Sequence, residues 1–473
     1  MSSLPVALIC AMALAGCAGA PPTVVNGRAV SMRFDPNRVA GLPASDGPSG
    51  PIGALPEATG RVRNTDDGGI DRLALMAIDD IEEFWQKDYR APLSGAFSPV
   101  SELVSIDPDA STPEVCGEDP AKFAFNAVYC RKHNVIVWDR TDLLPTAQKY
   151  FGDLSINGLL AHEYGHAIQN EAGLANDDTP VLVSEQQADC LSGVYLRWVA
   201  EGNSPRFAMN TTQALDKVLA GAIAIRDRPP AFDLFGLLPA EASHGTALDR
   251  VSAVQQGFDT GVGSCVRIDA DEIAQRRGDI PAALFDPGAP QSDVAITEQT
   301  LASLVEVLKG VFDPAQPPQL RMGVSCGAGP AAYCPDDNAV EVDLGALQKL
   351  GAPADEKQKV LVQGDDSAIV VVSSRYVLAL QKERGLSLDG EGAAMRTACL
   401  TGVAQRAMAD PATSNNELLL GPGDLDEAIA GLLTNGIVAT DARGQGVPSG
   451  FTRILAFRSG LSGDAERCYQ RFP

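Results

Sequence analysis

The sequence predicts a protein of mixed helix and strand, built as two tandem copies of one unit, the second a degenerate repeat of the first. Three observations predict this class: amphipathic helical spacing at the start of each unit, an apolar strand-like run at 135–138, and motifs that recur in order. At 473 residues, the chain is long enough for two or three domains with buried cores.

The first segment has the features of an export signal. Residues 4–14 form an apolar run that is too short to span a bilayer as a helix. It leads into Leu14-Ala15-Gly16-Cys17, which resembles the lipobox of bacterial lipoproteins. That resemblance implies cleavage before Cys17 and lipidation of its thiol, and hence an exported protein anchored to the cell membrane by lipid. The segment before the apolar run has no Lys or Arg, so an ordinary signal peptide or an apolar tail remains the alternative.

Composition and periodicity divide the chain. Pro, Gly, Ala and Asp dominate up to residue 69 with little periodicity, which is typical of a flexible segment. Helical spacing over 70–89 and again over 296–312 indicates where each unit begins. The expected parts are a signal peptide with lipobox at 1–17, a flexible stalk at 18–69, a first unit at 70–270, a linker at 271–292 and a second unit at 293–473.

Four groups of residues recur in the same order in both units. They are 129–130 with 333–334, 169–174 with 381–386, 190–193 with 399–402, and Arg250, Gly257 and Cys265 with Arg453, Gly460 and Cys468. One such match could arise by chance, but four in one order indicate an internal duplication.

The cysteines follow the same division. Apart from Cys10 and Cys17, eight remain, four in each unit, and an even number in an exported protein indicates disulfides. Four cysteines allow three pairings, among which sequence alone does not choose. We favour one short loop and one long closure in each unit: Cys116–Cys130, Cys190–Cys265, Cys326–Cys334 and Cys399–Cys468. A thiolate zinc site is the weaker alternative because the chain has no CxxC motif.

The charge balance excludes one class of partner. Lys and Arg number 37 against 61 Asp and Glu, which gives a net charge of −24. Binding to nucleic acid needs an excess of basic side chains. We therefore expect no nucleic-acid partner, and no docking on anionic lipid through a basic patch.

Two of the four histidines are four residues apart in an apolar run at 159–168 that is typical of a buried helix. On a helix, His162 and His166 share one face and can present two imidazoles to one metal ion. Glu163 would lie beside the metal, where it can take a proton from water. Bound zinc lowers the pKa of that water to about 7.

A catalytic zinc site also needs a third protein ligand and an open position. The segment 185–190 supplies Glu185 as that ligand, with Asp189 one turn further on to hydrogen-bond a histidine ligand. The reverse assignment of Glu185 and Asp189 stays open, although we prefer Glu185 as the ligand.

These residues resemble a known family. The segment 162–168 followed by Glu185-Gln186-Gln187-Ala188-Asp189-Cys190 resembles the bacterial putative neutral zinc metallopeptidase family, whose pattern reads HEYGHxxQ and then ELQADC. Gln186 stands where that family usually has leucine. The resemblance covers the first unit, 70–270. It implies a zincin-like α+β domain, mainly helical, with the metal helix under a small sheet, and a Zn2+ cofactor. The internal duplication extends this fold to the second unit.

The remaining candidates each have two interpretations. The family pattern places His244 where it could donate to a developing oxyanion as a catalytic residue, but it could equally organise the turn at 243–246. The run 135–138 could be an edge strand that pairs with an extended peptide, or an ordinary core strand. His133 is predicted to be a solvated loop residue.

The second unit lacks the chemical groups of the first. In the alignment of the units, His162, Glu163, His166, Glu185 and Asp189 correspond to Ser374, Arg375, Leu378, Ala394 and Ala398. The leading hypothesis is a cell-envelope zinc metallopeptidase that acts on a peptide or protein substrate, with a degenerate partner domain. The alternatives are a binding or scaffolding lipoprotein with a structural metal site, and an amidase or other hydrolase of envelope polymers.

Overall fold

A computed structural model describes residues 35–110, 113–224, 245–286, 288–290, 292–353, 362–414 and 417–473, with the backbone of two short strands before them. The described residues form a mixed α/β structure that is about 53% helical and has small sheets. In these ranges, no helix combines the length and the apolar character that a bilayer crossing requires. The predicted signal peptide, including Cys17, lies outside the described residues.

The described part of the chain contains strands of two to five residues and helices of four to twenty residues. The strands are β1 (Thr23–Val25), β2 (Arg28–Val30), β3 (Arg38–Val39), β4 (Leu42–Pro43), β5 (Gly50–Pro51), β6 (Val62–Arg63), β7 (Glu102–Ile106), β8 (Ala127–Cys130), β9 (Val135–Asp139), β10 (Phe207–Ala208), β11 (Gln319–Met322), β12 (Ala331–Cys334) and β13 (Ala339–Val342). The helices are α1 (Gly69–Asp88), α2 (Leu143–Phe151), α3 (Asp153–Ala172), α4 (Val181–Ala200), α5 (Gln213–Ala224), α6 (Ala247–Thr260), α7 (Val262–Cys265), α8 (Ala270–Arg277), α9 (Glu298–Phe312), α10 (Leu344–Leu350), α11 (Asp365–Glu383), α12 (Glu391–Met408), α13 (Pro411–Ser414), α14 (Pro422–Thr434), α15 (Gly450–Leu461) and α16 (Ala465–Arg471).

The sheet of the first half has the strand order β6-β7-β9-β8. β7 and β9 are parallel and almost wholly buried, which suits their content of Leu, Val and Ile. β8 pairs antiparallel with β9, with Tyr129 opposite Ile136, and forms one edge of the sheet. The interpretation of 135–138 as an edge strand is therefore wrong. This segment is a central strand, and the edge belongs to β8.

The central helices of the first half touch backbone to backbone. A Cβ atom at Gly165 of α3 would lie 2.8 Å from the carbonyl oxygen of Ala188 in α4. A Cβ atom at Gly257 of α6 would collide with the carbonyl oxygen of Cys190 in α4. Because glycine removes these clashes, α3, α4 and α6 pack as one group, with α4 in the middle.

The second half follows the same element order. β11 is parallel to β13 and β12 is antiparallel to it, as β7 and β8 are to β9. A Cβ atom at Gly460 of α15 would collide with the carbonyl oxygen of Cys399 in α12, which repeats the contact of Gly257 with Cys190. Segment 425–431 of α14 also matches segment 215–221 of α5: both begin with Leu-Asp and end with Ala-Gly.

Two buried aspartates connect the halves. Asp426 of α14 accepts a hydrogen bond of 2.6 Å from the backbone N–H of Ala247, the first residue of α6. Asp216 of α5 accepts one of 2.7 Å from the backbone N–H of Gly450, the first residue of α15. Each carboxylate satisfies a helix N-terminus in the opposite half, where the free N–H groups and the helix dipole favour an anion. We refer to these two contacts as the reciprocal caps.

The segment predicted as a flexible stalk is packed over much of its length. β5 pairs with β10, β6 joins the first sheet beside β7, and Val39 and Val62 are buried. The prediction is therefore wrong for residues 35–69. Their few apolar side chains are enough to attach a segment rich in Pro and Gly to the first half. The rest of the predicted stalk, apart from the backbone of β1 and β2, lies outside the described residues.

The segment predicted as a linker at 271–292 is also ordered in part. It contains most of α8, which begins at Ala270 after Asp269, whose side chain accepts a hydrogen bond from the backbone N–H of Glu272. Arg277 at the end of α8 forms a salt bridge of 2.7 Å with Asp249 of α6. This part of the chain is therefore attached to the first half. The helices expected at 70–89 and 296–312 are α1 and α9.

Four disulfides are present: Cys116–Cys130, Cys190–Cys265, Cys326–Cys334 and Cys399–Cys468. These are the pairings favoured from the sequence, and each lies within one half. The bridges that span 75 and 69 positions connect α4 to α7 and α12 to α16. They fasten the end of each half to its central helices.

Candidate metal centre

Three side chains from α3 and α4 converge at the point where these helices touch. His162 and His166 are one turn apart on α3, with ring centroids 4.9 Å apart. Glu185 of α4 lies between them, with one carboxylate oxygen 3.2 Å from Nε2 of His162 and the other 3.4 Å from Nε2 of His166. The three ligand atoms lie within 4.8 Å of one another.

Each histidine is held by a hydrogen bond at its other ring nitrogen. Nδ1 of His162 lies 2.8 Å from Oδ1 of Asp189, and Nδ1 of His166 lies 2.8 Å from the side-chain oxygen of Gln169. Because a carboxylate and an amide oxygen can only accept, Nδ1 donates in both cases, and in the neutral ring Nε2 carries the lone pair that a metal ion needs. Two imidazole nitrogens and one carboxylate oxygen, oriented in this way, fit the donor set of a zinc ion.

The second of these supports, Gln169, is itself fixed. Its amide nitrogen donates to the carbonyl oxygen of Ser184 at 2.7 Å and to the side-chain oxygen of Gln187 at 3.0 Å. These two bonds turn the amide oxygen of Gln169 towards His166. The HxxQ spacing contained this signal, because three residues after His166 is the same helix face.

Asp189 is paired with a buried arginine as well as with His162. Arg250 of α6 donates to both carboxylate oxygens of Asp189, at 3.0 and 2.9 Å, and to the carbonyl oxygen of Ala222 at 2.8 Å. Burial opposes ionisation of Asp189, but the charges of Arg250 and His162 hold its pKa at about 2. Burial also lowers the pKa of His162, yet the carboxylates of Asp189 and Glu185 raise it to about 10.

Sequence reasoning gave Arg250 no role at the site. The sequence repeats this residue at Arg453, but no spacing rule connects it to Asp189, 61 residues away. Its pairing with Asp189 depends on the close contact of α6 with α4, which a single sequence does not reveal.

Glu163 is buried beside the metal ligands. Its Oε2 accepts a hydrogen bond of 2.9 Å from the backbone N–H of Tyr129 in the edge strand β8. Burial raises the pKa of the Glu163 carboxyl, and the nearby charge of Glu185 acts in the same direction, while the histidines lower it. The structure therefore fixes this carboxyl group between the ligand helix and the sheet edge.

A cleft of about 550 Å3 opens onto this group. One wall consists of the chain around β8, from Ala124 to Tyr129, and the other consists of α3, α4, α5 and α6. The metal ligands and Glu163 face the cleft, while Leu196, Val218 and Val254 make part of it apolar. This volume and this mixture of apolar and polar surfaces are typical of a ligand-binding site.

The other predicted site residues lie elsewhere. His244 lies outside the described residues, so its catalytic role stays a prediction. His133 is exposed in the turn between β8 and β9. In the second half, Ser374, Leu378, Ala394 and Ala398 are all buried.

Arg375, the counterpart of Glu163, is buried and makes contacts within the second half. Its guanidinium group donates to the carbonyl oxygen of Ile437 at 2.8 Å and to the hydroxyl of Thr440 at 2.7 Å. Burial lowers its pKa to about 10, so the group stays charged at neutral pH. A fixed positive charge occupies the position that corresponds to the carboxyl group of the first half.

The fold and this set of converging ligands define a mixed α/β protein with a candidate zinc centre on two helices. Over residues 10–267, the chain matches the family described as Putative neutral zinc metallopeptidase. Because the match covers more than half of the chain, the protein belongs to this family. A search of curated proteins and a search of solved structures gave no match.

Proposed function

We propose that the protein is a zinc-dependent peptidase of the cell envelope that hydrolyses peptide bonds at this centre. The convergence of His162, His166 and Glu185 next to Glu163, in a cleft, carries the proposal. Membership of the metallopeptidase family supports the hydrolase class and the zinc cofactor.

The proposed roles follow from the contacts of each side chain. His162, His166 and Glu185 hold the zinc ion, which when bound supplies Lewis acidity that polarises water and a substrate carbonyl group. Glu163 acts as the general base, takes a proton from water and passes it to the leaving amine. The bond from Tyr129 to Glu163 keeps that carboxylate aimed at the cleft.

The edge strand β8 offers a surface for the substrate backbone. In an antiparallel pair, alternate residues bond to the partner strand. Asn126 accepts a bond from Asp139 of β9, which makes Ala127 and Tyr129 the residues whose backbone groups face away from β9. Tyr129 donates towards Glu163 in the cleft, in agreement with this direction. We propose that an extended peptide pairs with this edge.

The leading alternative is a binding or scaffolding lipoprotein with a structural metal site. A structural zinc site normally fills its fourth position with a protein ligand and has no use for a general base. The three converging ligands face a cleft that also contains Glu163. This arrangement supports catalysis. Amidase activity on envelope polymers would use the same groups and differs only in substrate.

The test combines metal content with peptide-library cleavage. We expect one zinc per chain in the wild type and in Glu163→Gln, with hydrolysis abolished in that variant because the base is lost. Arg375→Gln changes the corresponding residue of the second half and is the matched control, with hydrolysis retained. Full activity of Glu163→Gln would show that Glu163 is not the general base. Protein without metal whose activity is insensitive to chelators would refute the enzyme hypothesis. Cleavage of envelope polymers but not peptides would favour the amidase.

We further propose that the two halves are tandem zincin-like domains and that the second neither binds zinc nor catalyses. The common strand pairing, helix order and glycine contacts support the duplication. The side chains of Ser374, Leu378 and Ala394 offer no set of zinc ligands. Lipid anchoring through Cys17, an extracytoplasmic location and a peptide or protein substrate in the envelope belong to the same proposal and depend on the lipobox.

A further inference from the structure

Helix α6 lies between the metal-binding helices and the second half. On one side it contacts α4, where glycine allows Gly257 to touch Cys190 and Gly193 to touch Val254. The disulfide Cys190–Cys265 follows directly after this contact. On this side, therefore, α6 and the ligand helix α4 form one closely packed pair.

The other side of α6 is held by the second half at both ends. Asp426 accepts the N–H of Ala247 at the start of α6. Further along, Gln255 donates to the carbonyl oxygen of Phe451 at 2.9 Å, and the ring of Phe258 lies 5.5 Å from that of Phe451.

Arg458 adds two more contacts from the second half. It donates to the hydroxyl of Ser252 in α6 at 3.2 Å and to the carbonyl oxygen of Arg276 in α8 at 2.7 Å. The contacts from the second half therefore extend along α6 from its first residue, Ala247, to Phe258.

A continuous series of bonds leads from this interface to the metal ligands. Arg250 is one helical turn from Ala247, the residue capped by Asp426. Arg250 binds both oxygens of Asp189, and Asp189 binds Nδ1 of His162. A shift of α6 would therefore change the position of the carboxylate that orients a metal ligand.

We propose that the second half has a function of its own: it braces α6 and thereby keeps Asp189 and His162 arranged for metal binding. The inference rests on the proposed zinc centre. The second half lacks counterparts of the zinc ligands, and bracing α6 is a role that does not require them. It also couples two events, since whatever favours the packing of the halves favours zinc binding, and zinc must favour the packing by the same factor.

The first test removes one of the reciprocal caps in the full chain. Asp426→Ala removes the bond that the second half gives to the start of α6, while the cap from Thr246 stays. Asp343→Ala removes the side-chain cap of α10, a bond that lies wholly within the second half, and is the control. Zinc affinity is measured by competition with a chromogenic chelator. We expect Asp426→Ala to weaken zinc binding about tenfold, the lower end of the range for loss of an outer-shell contact. The control should stay within about twofold of the wild type.

Two outcomes of this test contradict the proposal. Equal losses in the two variants would show that the effect is general destabilisation. Unchanged affinity in Asp426→Ala would show that the second half does not act on the site. If the wild type binds no zinc, the proposed zinc centre itself is refuted. If the wild type binds zinc and Asp426→Ala binds it equally well, only the bracing role of the second half is refuted.

The second test needs no variant and so does not depend on whether Asp426→Ala folds. Hydrogen exchange of the wild-type chain is compared with zinc and after chelation. We expect zinc to slow exchange in α6 and also in α14 and α15 of the second half, while α9, to which none of these contacts belongs, serves as the reference. Slower exchange in the first half alone would overturn the proposal.

Discussion

Replacement of Arg250 tests how the buried Asp189 supports the metal site. Arg250→Met keeps an unbranched apolar stem but removes both bonds to Asp189, which is 1% exposed. Asp189 then keeps His162 as a partner and loses the compensating charge of Arg250. Removal of one member of a buried ion pair costs about 3–5 kcal/mol. We expect the free energy of unfolding to fall by an amount in this range.

The second half supplies a control for this change. Arg453, the counterpart of Arg250, donates to the carbonyl oxygen of Leu432 at 2.7 Å, as Arg250 does to that of Ala222. It donates to two further carbonyl oxygens and is 3.7 Å from Asp216. Arg453→Met therefore removes carbonyl bonds of about 1 kcal/mol each without disturbing a metal ligand.

The two variants separate metal support from folding. We expect Arg250→Met to weaken zinc binding by about 10- to 100-fold, the usual effect of losing an outer-shell partner, and Arg453→Met to leave it unchanged. Arg250→Lys should be intermediate, because an ammonium group keeps the charge but not the two parallel bonds. Chelator competition gives the zinc affinities, and urea unfolding gives the stabilities. If both Met variants bind zinc equally well, Arg250 only supports the fold and the reasoning is refuted.

Three further predictions concern stability and location. Cys190→Ala together with Cys265→Ala should lower the free energy of unfolding by about 2–5 kcal/mol in urea titrations, and a bridge between the halves in non-reducing peptide maps would contradict the assignment. Burial and neighbouring carboxylates raise the pKa of Glu427 from 4.5 to about 8 in the folded protein. The stability that this group contributes is therefore full below the unfolded pKa and is lost as the pH rises through about 8. The melting temperature should therefore fall more steeply with pH in the wild type than in Glu427→Gln, and parallel curves would refute this. Cys17→Ser should move the protein from the membrane to the soluble fraction, and continued membrane association would exclude the lipid anchor.

The sequence predicted the features that depend on local spacing. The helix with His162 and His166 could be predicted because a difference of four residues puts two side chains on one face. The eight cysteines indicated which segments meet, since two equal sets in one order limit the choice of partners. The family of the chain also followed from these motifs.

Features that depend on distant contacts could not be predicted in this way. The run 135–138 is apolar whether it is central or at an edge, so only the strand order shows that β8 is the edge. The pairing of Arg250 with Asp189 and the caps from Asp426 and Asp216 depend on helix packing between distant segments. Residues 35–69 have the composition of a stalk, yet they pack because the first half offers an edge at β7 and a partner at β10.

The reciprocal caps have a consequence for the order in which the chain acquires its structure. Ala247 receives its cap from a residue 179 positions later, and the partner of Asp216 comes 234 positions later. During synthesis from the N-terminus, the first half is therefore complete in sequence long before the start of α6 can gain its bond to Asp426. A chain interrupted before Pro422 would contain every proposed ligand and the Thr246 cap of α6, and would still lack the bond that α14 gives to this helix.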